Sequence, residues 1–174
     1  NIKKVSKKLT NTATLIKDQT LLAANAVLIL ERATTPLSYS EADNGDLVME
    51  GTCAVFGQMN DNHRVYEKQE YLPHLTYLVE KIKKGQLFGE LDHPQSFDVS
   101  LKNVSHVIES LTYDDSTNSV KIRLRILDTP SGRIAKTLVK AGATISSSSR
   151  AAGQVLESGK VKLHKIFTYD LVAE

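Results

Sequence analysis

Two short segments carry the residue types that serine-dependent hydrolysis requires. Residues 89–94 read GELDHP and contain His93, and residues 146–153 read SSSSRAAG, four serines followed by Arg150. A serine hydroxyl is a poor nucleophile until a neutral imidazole accepts its proton, and a third group usually orients that imidazole. The two segments therefore predict a hydrolytic Ser–His site, provided that folding brings them together.

Each segment also has a simpler structural interpretation. A serine run before arginine is more often a turn or a helix cap, because serine hydroxyls bond readily to nearby backbone groups. His93 precedes Pro94, and the residue before a proline is held in an extended conformation that suits a turn. On local pattern alone, the structural interpretation is the more common one.

A metal site is a further alternative, because several carboxylate and histidine side chains that can bind metal ions occur between positions 90 and 106. They are Glu90, Asp92, His93, Asp98 and His106. Their spacing matches no HExxH helix, paired CxxC or calcium loop, and adjacent Asp92 and His93 would point to opposite faces of an extended segment. We therefore predict neither a bound metal nor another cofactor.

The composition bounds the class of protein. With 174 residues and 41% hydrophobic content, the chain can bury one core, and we predict a polar, basic arm over residues 1–20 and a single domain over residues 21–174. The single cysteine excludes an intrachain disulfide and fits a reducing compartment. A net charge of +2 argues against a main role in nucleic-acid binding. The apolar stretch 21–30 is too short to span a membrane.

Hydrophobic periodicity predicts the elements that would position the two segments. Apolar residues at three- and four-residue spacing predict a helix over 67–85, and a second helix is predicted from Ser131, as its N-cap, to Gly142. Alternation of apolar and polar residues predicts strands of a sheet that has one solvent-exposed face. The predicted strands are 25–34, 47–58, 86–91, 104–113, 119–127, 143–147 and 160–172. The fold class is thus α+β and strand-rich, a mainly antiparallel sheet or barrel with flanking helices.

At three segments the sequence resembles the prohead core proteases of tailed bacteriophages. Residues 60–66 (NDNHRVY) resemble the family's Asn-x-Asn-x-Arg-x-Tyr segment, and residues 89–94 its Gly-Glu-Leu-Asn/Asp-His-Pro element. Residues 148–150 resemble its Ser-Ser-Arg element. Their order and approximate spacing also agree, so the resemblance covers roughly residues 47–172. The chain departs from the family just before the nucleophile, where Ser146 and Ser147 replace a glycine and an aliphatic residue.

The resemblance implies a fold and a set of site residues. The family resembles herpesvirus assemblins, which implies an antiparallel β-barrel with helices packed around it. It further implies that Ser148 is the nucleophile, that His93 is the general base, and that the third member lies on a later strand, where we choose Asp170. Asp98, His106 and His164 are the alternatives for this third position. Arg150 and Ser149 are predicted to support the oxyanion, Arg150 directly or through a held water.

The resemblance also implies a substrate and a location. We expect cleavage of scaffold or core proteins and of the major capsid protein, inside the prohead in the host cytoplasm, after glutamate preceded two positions earlier by an aliphatic or small residue. The terminal Val172-Ala173-Glu174 fits such a site, so self-processing is expected. No nucleic-acid or membrane partner is expected. Homo-oligomerisation is compatible with the sequence.

Two other functions are compatible with the same residues. One is a catalytically inactive structural head or tail component that keeps a related barrel, and the other is a hydrolase of small esters or amides. An extended groove with an open sheet edge would favour a peptide substrate over a small one.

Overall fold

The computed structural model describes residues 25–173, so the arm predicted for residues 1–20 lies outside the described residues. Within them the chain forms eight strands and two α-helices, with a 3-10 turn at Leu101–Asn103. The strands are β1 (Val27–Arg32), β2 (Ser38–Glu41), β3 (Leu47–Val55), β4 (Phe88–Glu90), β5 (Val104–Asp114), β6 (Ser119–Ile126), β7 (Ile145–Val155) and β8 (Val161–Ala173). The helices are α1 (Lys68–Lys83) and α2 (Pro130–Lys140). None of the helices described here is long and apolar enough to cross a membrane.

The strands form two antiparallel sheets. One has the order β1-β7-β8 and the other the order β2-β3-β6-β5-β4, which confirms the strand-rich α+β prediction. A closed barrel was the wrong expectation, because β4 has three residues and β2 covers β3 only from Leu47 to Glu50. The sheets meet at isolated hydrogen bonds, from Asp92 N to Leu171 O at 2.8 Å and from Leu37 N to Ile145 O at 2.9 Å.

The hydrophobic core lies where alternating strand residues meet α1. In β6 the side chains of Val120, Ile122 and Leu124 are buried, as the period-two pattern predicts. Tyr71, Leu75 and Leu78 of α1 belong to the same core cluster. Full burial of one such aliphatic side chain contributes about 1.5–3 kcal/mol to stability, so these contacts fix how the strands that carry the site are stacked.

Two local predictions need correction. The predicted strands omit residues 38–41, but these residues pair with β3 as an exposed edge strand; backbone pairing needs no apolar pattern, so composition did not indicate it. The N-cap of α2 is Thr129 rather than Ser131, since the Thr129 Oγ1 accepts from the Gly132 N–H at 3.0 Å. Pro130 occupies the first helical turn, where a missing N–H costs nothing.

Candidate active site

The four serines lie within β7, the central strand of the three-stranded sheet. Ser148 faces Arg32 across the β1 ladder and Asp170 across the β8 ladder. Because side chains alternate along a strand, Ser148 and Arg150 share one face of the sheet and Ser149 points to the other. The serines thus continue the predicted strand instead of following it in a turn.

Three of the serine hydroxyls are buried without a hydrogen-bond partner among the described residues. They belong to Ser146, Ser147 and Ser148, and the Ser148 residue is only 1% exposed. A buried hydroxyl without a partner costs about 1–3 kcal/mol. Such a cost is unusual in a native fold, and it singles out this part of β7 as a candidate site.

His93 lies on an exposed loop that is fastened to β8. Asp92 adopts a left-handed φ of 65°, a conformation that Asp tolerates better than most residues, and the Asp92 N–H donates to Leu171 O. The His93 side chain lines an open cavity of about 400 Å³ together with Leu30 and Arg32. Arg32 is the cross-strand neighbour of Ser148, so the loop and the serine lie on either side of this residue.

The structure brings His93 and Ser148 to one end of β1 without joining them. The Ser148 hydroxyl makes no hydrogen bond within the described part of the chain. The His93 imidazole makes none there either, and only its backbone carbonyl accepts one, from Gln95. General-base contacts are often long in an unliganded enzyme and shorten when substrate binds. Both groups therefore lie near Arg32, with no hydrogen bond between them among the described residues.

Arg150 is the centre of a buried network on the Ser148 face. Its Nε donates to the Asp170 Oδ2 at 2.9 Å, and its Nη2 donates to the Asp170 Oδ1 at 2.7 Å and to the Glu90 Oε2 at 2.8 Å. Its Nη1 donates to the backbone carbonyls of Ser96 and Asp98 at 3.2 and 3.0 Å. Since a guanidinium has five N–H groups, all of its donors have protein acceptors.

Burial and the pairing of one guanidinium with two carboxylates determine the pKa shifts in this network. Desolvation opposes the charge on Arg150, but hydrogen bonds and charges from Asp170 and Glu90 outweigh it and raise the pKa of Arg150. Burial raises the pKa of Asp170, and the paired Arg150 offsets part of that rise. Two carboxylates share one guanidinium, and the Glu90 and Ser100 N–H groups supply further donors to them.

The alternatives for the third catalytic position lie in different surroundings. Both carboxylate oxygens of Asp170 accept from Arg150. His106 is fully buried, with its Nε2 hydrogen donated to Tyr169 O at 2.8 Å and its Nδ1 accepting from Ser105 Oγ at 2.7 Å. Burial lowers the pKa of His106 to about 4. His164 lies nearer the start of β8 than Asp170 does, and its Nε2 is buried without a partner among the described residues.

Known proteins resemble this chain in sequence and in fold. The family model described as prohead core protein serine protease matches residues 19–171. The chain belongs to this family. Among solved structures, the bacteriophage T4 capsid assembly protease, gp21, superposes on this prohead core protease with a TM-score of 0.75. The two share 22% identity over 84% of this chain and 98% of that one, a likeness that shows a common fold. No curated protein matches the chain.

A buried carboxylate beside the candidate site that the sequence did not reveal is Glu31. This nearly buried carboxylate accepts from Asn62 Nδ2 at 2.5 Å, from Tyr66 Oη at 2.9 Å and from Arg64 Nη1 at 3.4 Å. His63 between these donors adopts a left-handed φ of 58°, so a turn, and not regular strand alternation, brings them together. No local pattern in the sequence indicated this shared partner.

Glu31 also separates two cavities beside β7. It lines the His93 cavity and a second cavity of about 230 Å³ that reaches Ser149 and Cys53. Arg32 likewise lines both. The Glu31 contacts thus tie residues 62–66 to the edge of β1 and form a wall shared by the two cavities.

Proposed function

We propose that this chain is a serine endopeptidase of prohead maturation in which Ser148 attacks the peptide bond and His93 accepts its proton. The observation that carries the proposal is the position of Arg32, which neighbours Ser148 in the sheet and lines the cavity that holds His93. A local rearrangement of the exposed His93 side chain, between its anchored neighbours Asp92 and Ser96, would bring the imidazole to the buried hydroxyl. Membership of a serine protease family supports this reading.

The groove favours a peptide over a small ester or amide. β1 is an edge strand of its sheet within the described residues, and its outer side borders the cavity formed with Asn60, Asn62, His93 and Gln95. An extended peptide can add to such an edge through backbone hydrogen bonds. We propose that scaffold or core proteins and the major capsid protein bind in this way.

Several finer assignments belong to the same proposal. From the sequence resemblance we infer cleavage after glutamate, self-cleavage and action in the host cytoplasm, and the family description and the capsid-assembly role named for the T4 protein support action inside the prohead. A herpesvirus-assemblin-like arrangement of the two sheets, without a closed barrel, also stays a prediction. Oxyanion support by Ser149 stays a prediction as well, and support by Arg150 would require it to exchange one of its five protein acceptors for the oxyanion.

The decisive experiment measures cleavage of the cognate scaffold protein by the wild type, Ser148→Ala and His93→Ala. We expect either substitution to lower the rate by several powers of ten, because nucleophile and base act as one unit. Ser147→Ala is the matched control: its hydroxyl is equally buried and unpartnered on the same strand, and we expect wild-type cleavage.

A fluorophosphonate probe gives an independent readout. It should label Ser148 in the wild type, as peptide mass spectrometry would locate, and it should not label Ser148→Ala. Labelling of Ser149 instead, or equal cleavage by Ser148→Ala, would reject the assignment. A folded wild type that neither labels nor cleaves would favour the inactive structural component.

A further inference from the structure

Arg150 links the strand that carries Ser148 to the loop that carries His93. It follows Ser148 by two residues on the same face of β7, and its Nη1 group holds the carbonyls of Ser96 and Asp98 in the loop that carries His93. One rigid guanidinium therefore joins the nucleophile strand to the base loop. A guanidinium presents its donors in a fixed fork, so it sets positions as well as charge.

The loop is also fixed at its two ends by the acids that bind Arg150. At its start, the Glu90 N–H donates to the Asp170 Oδ1 at 3.0 Å. At its end, the Ser100 N–H donates to the Glu90 Oε2 at 3.2 Å. Arg150, Glu90 and Asp170 are at most 4% exposed, so water does not compete for these contacts.

Every N–H of Arg150 and both carboxylate oxygens of Asp170 are occupied, and this distinguishes a direct catalytic role from a positioning role. An arginine that stabilises an oxyanion needs an N–H directed at the substrate, whereas each N–H of Arg150 already has a protein acceptor. An aspartate that orients an imidazole needs an oxygen directed at it, and both Asp170 oxygens accept from Arg150. The network is instead built to hold the loop in place.

We propose that Arg150 is a positioning residue that sets the distance between His93 and Ser148, and that Glu90 and Asp170 hold Arg150 in its working orientation. The inference rests on the proposed function. It assigns Asp170 an effect on catalysis through Arg150 and not through contact with His93. A misplacement of about 1 Å between reacting groups costs roughly a hundredfold in rate, which sets the scale of the expected effect.

The test compares Arg150→Lys and Glu90→Gln with the wild type in steady-state cleavage of a scaffold-derived peptide. We expect kcat to fall about a hundredfold in Arg150→Lys and less in Glu90→Gln, with KM changed less than threefold because Arg150 does not line the β1 groove. The rate of fluorophosphonate labelling should fall with kcat. Arg125→Lys, at a surface ion pair with Glu109, is the matched control and should keep wild-type kinetics.

Hydrogen exchange of residues 91–100 tests the loop itself, independently of activity. Exchange there should accelerate at least tenfold in the variants, with β6 unchanged. If Arg150→Lys does not fold, Glu90→Gln decides the question, since its amide keeps an acceptor. Folded variants with wild-type kcat, or with unchanged loop exchange, would overturn the proposal while Ser148 labelling upholds the protease. An unlabelled wild type would overturn both.

Discussion

The imidazole of His106 packs directly against the α carbon of Gly89. A Cβ atom at position 89 would lie 2.2 Å from the His106 Nε2 and 2.4 Å from Tyr169 O. Gly89 belongs to β4, whose end leads into the His93 loop. The glycine of the GELDHP segment is therefore required by a close approach between β4, β5 and β8 and not by a turn.

Substitution of this glycine should destabilise the whole fold. For Gly89→Ala we expect the free energy of unfolding to fall by about 1–3 kcal/mol or more, since neither the buried ring nor the β8 backbone can withdraw without repacking. Urea denaturation followed by circular dichroism measures the change. An unchanged midpoint would show that β4 shifts freely away from β5.

His106 should make stability depend on pH. Its pKa is lowered from 6.5 to about 4 by burial, so between these values the unfolded state binds more protons than the folded state. Stability is then complete above about pH 6.5 and decreases as the pH falls toward 4, by about 3 kcal/mol from this group. Denaturation curves of His106→Gln between pH 6.5 and pH 4 should lack this loss of stability, whereas those of His93→Ala should still show it.

The Glu31 contacts should govern substrate binding more than the chemical step. Glu31→Gln weakens the acceptor of Asn62, Arg64 and Tyr66, and the groove wall should loosen. We expect KM for a scaffold peptide to rise roughly tenfold with kcat nearly unchanged, the signature of lost uniform binding. Glu67→Gln, at a half-buried acid near Lys160, is the control. A loss confined to kcat would contradict this role.

The hydroxyls of Tyr71 and Tyr169 form a buried pair at 2.7 Å. Removal of either one leaves the other unpaired, so Tyr71→Phe and Tyr169→Phe should each lower the free energy of unfolding by about 1–3 kcal/mol. The double variant should lose less than the sum, with a coupling of about 0.5–3 kcal/mol. A double-mutant cycle in urea measures this, and strict additivity would argue against a direct bond.

The N-cap of α2 permits a paired comparison of two neighbouring hydroxyls. Thr129→Ala removes the acceptor of the Gly132 N–H and should cost about 1 kcal/mol. Ser131→Ala lies within the helix, where alanine is the better helix former, and its effect should stay within about 0.5 kcal/mol. Thermal unfolding of the two variants distinguishes the true cap.

The sequence by itself determined the residue types at the site and the elements around them. Period-two alternation identified β6, and three- and four-residue spacing identified α1. A histidine and a serine run in segments beside predicted strands suggested acyl transfer, and the resemblance to the prohead core proteases selected His93 and Ser148 within them. The predictions of β6 and α1 hold because periodicity is a local property of the chain.

Only the tertiary structure decided which distant residues meet. Arg150 binds Glu90 from sixty positions away and Asp170 from twenty, and Glu31 gathers donors from the 60–66 segment. Local periodicity tells which face of a strand is buried but not which strands pair, so neither network, nor the division into two sheets, was accessible from it. The partners of a buried charge are set by strand register, and that register is fixed by the packing of the whole core.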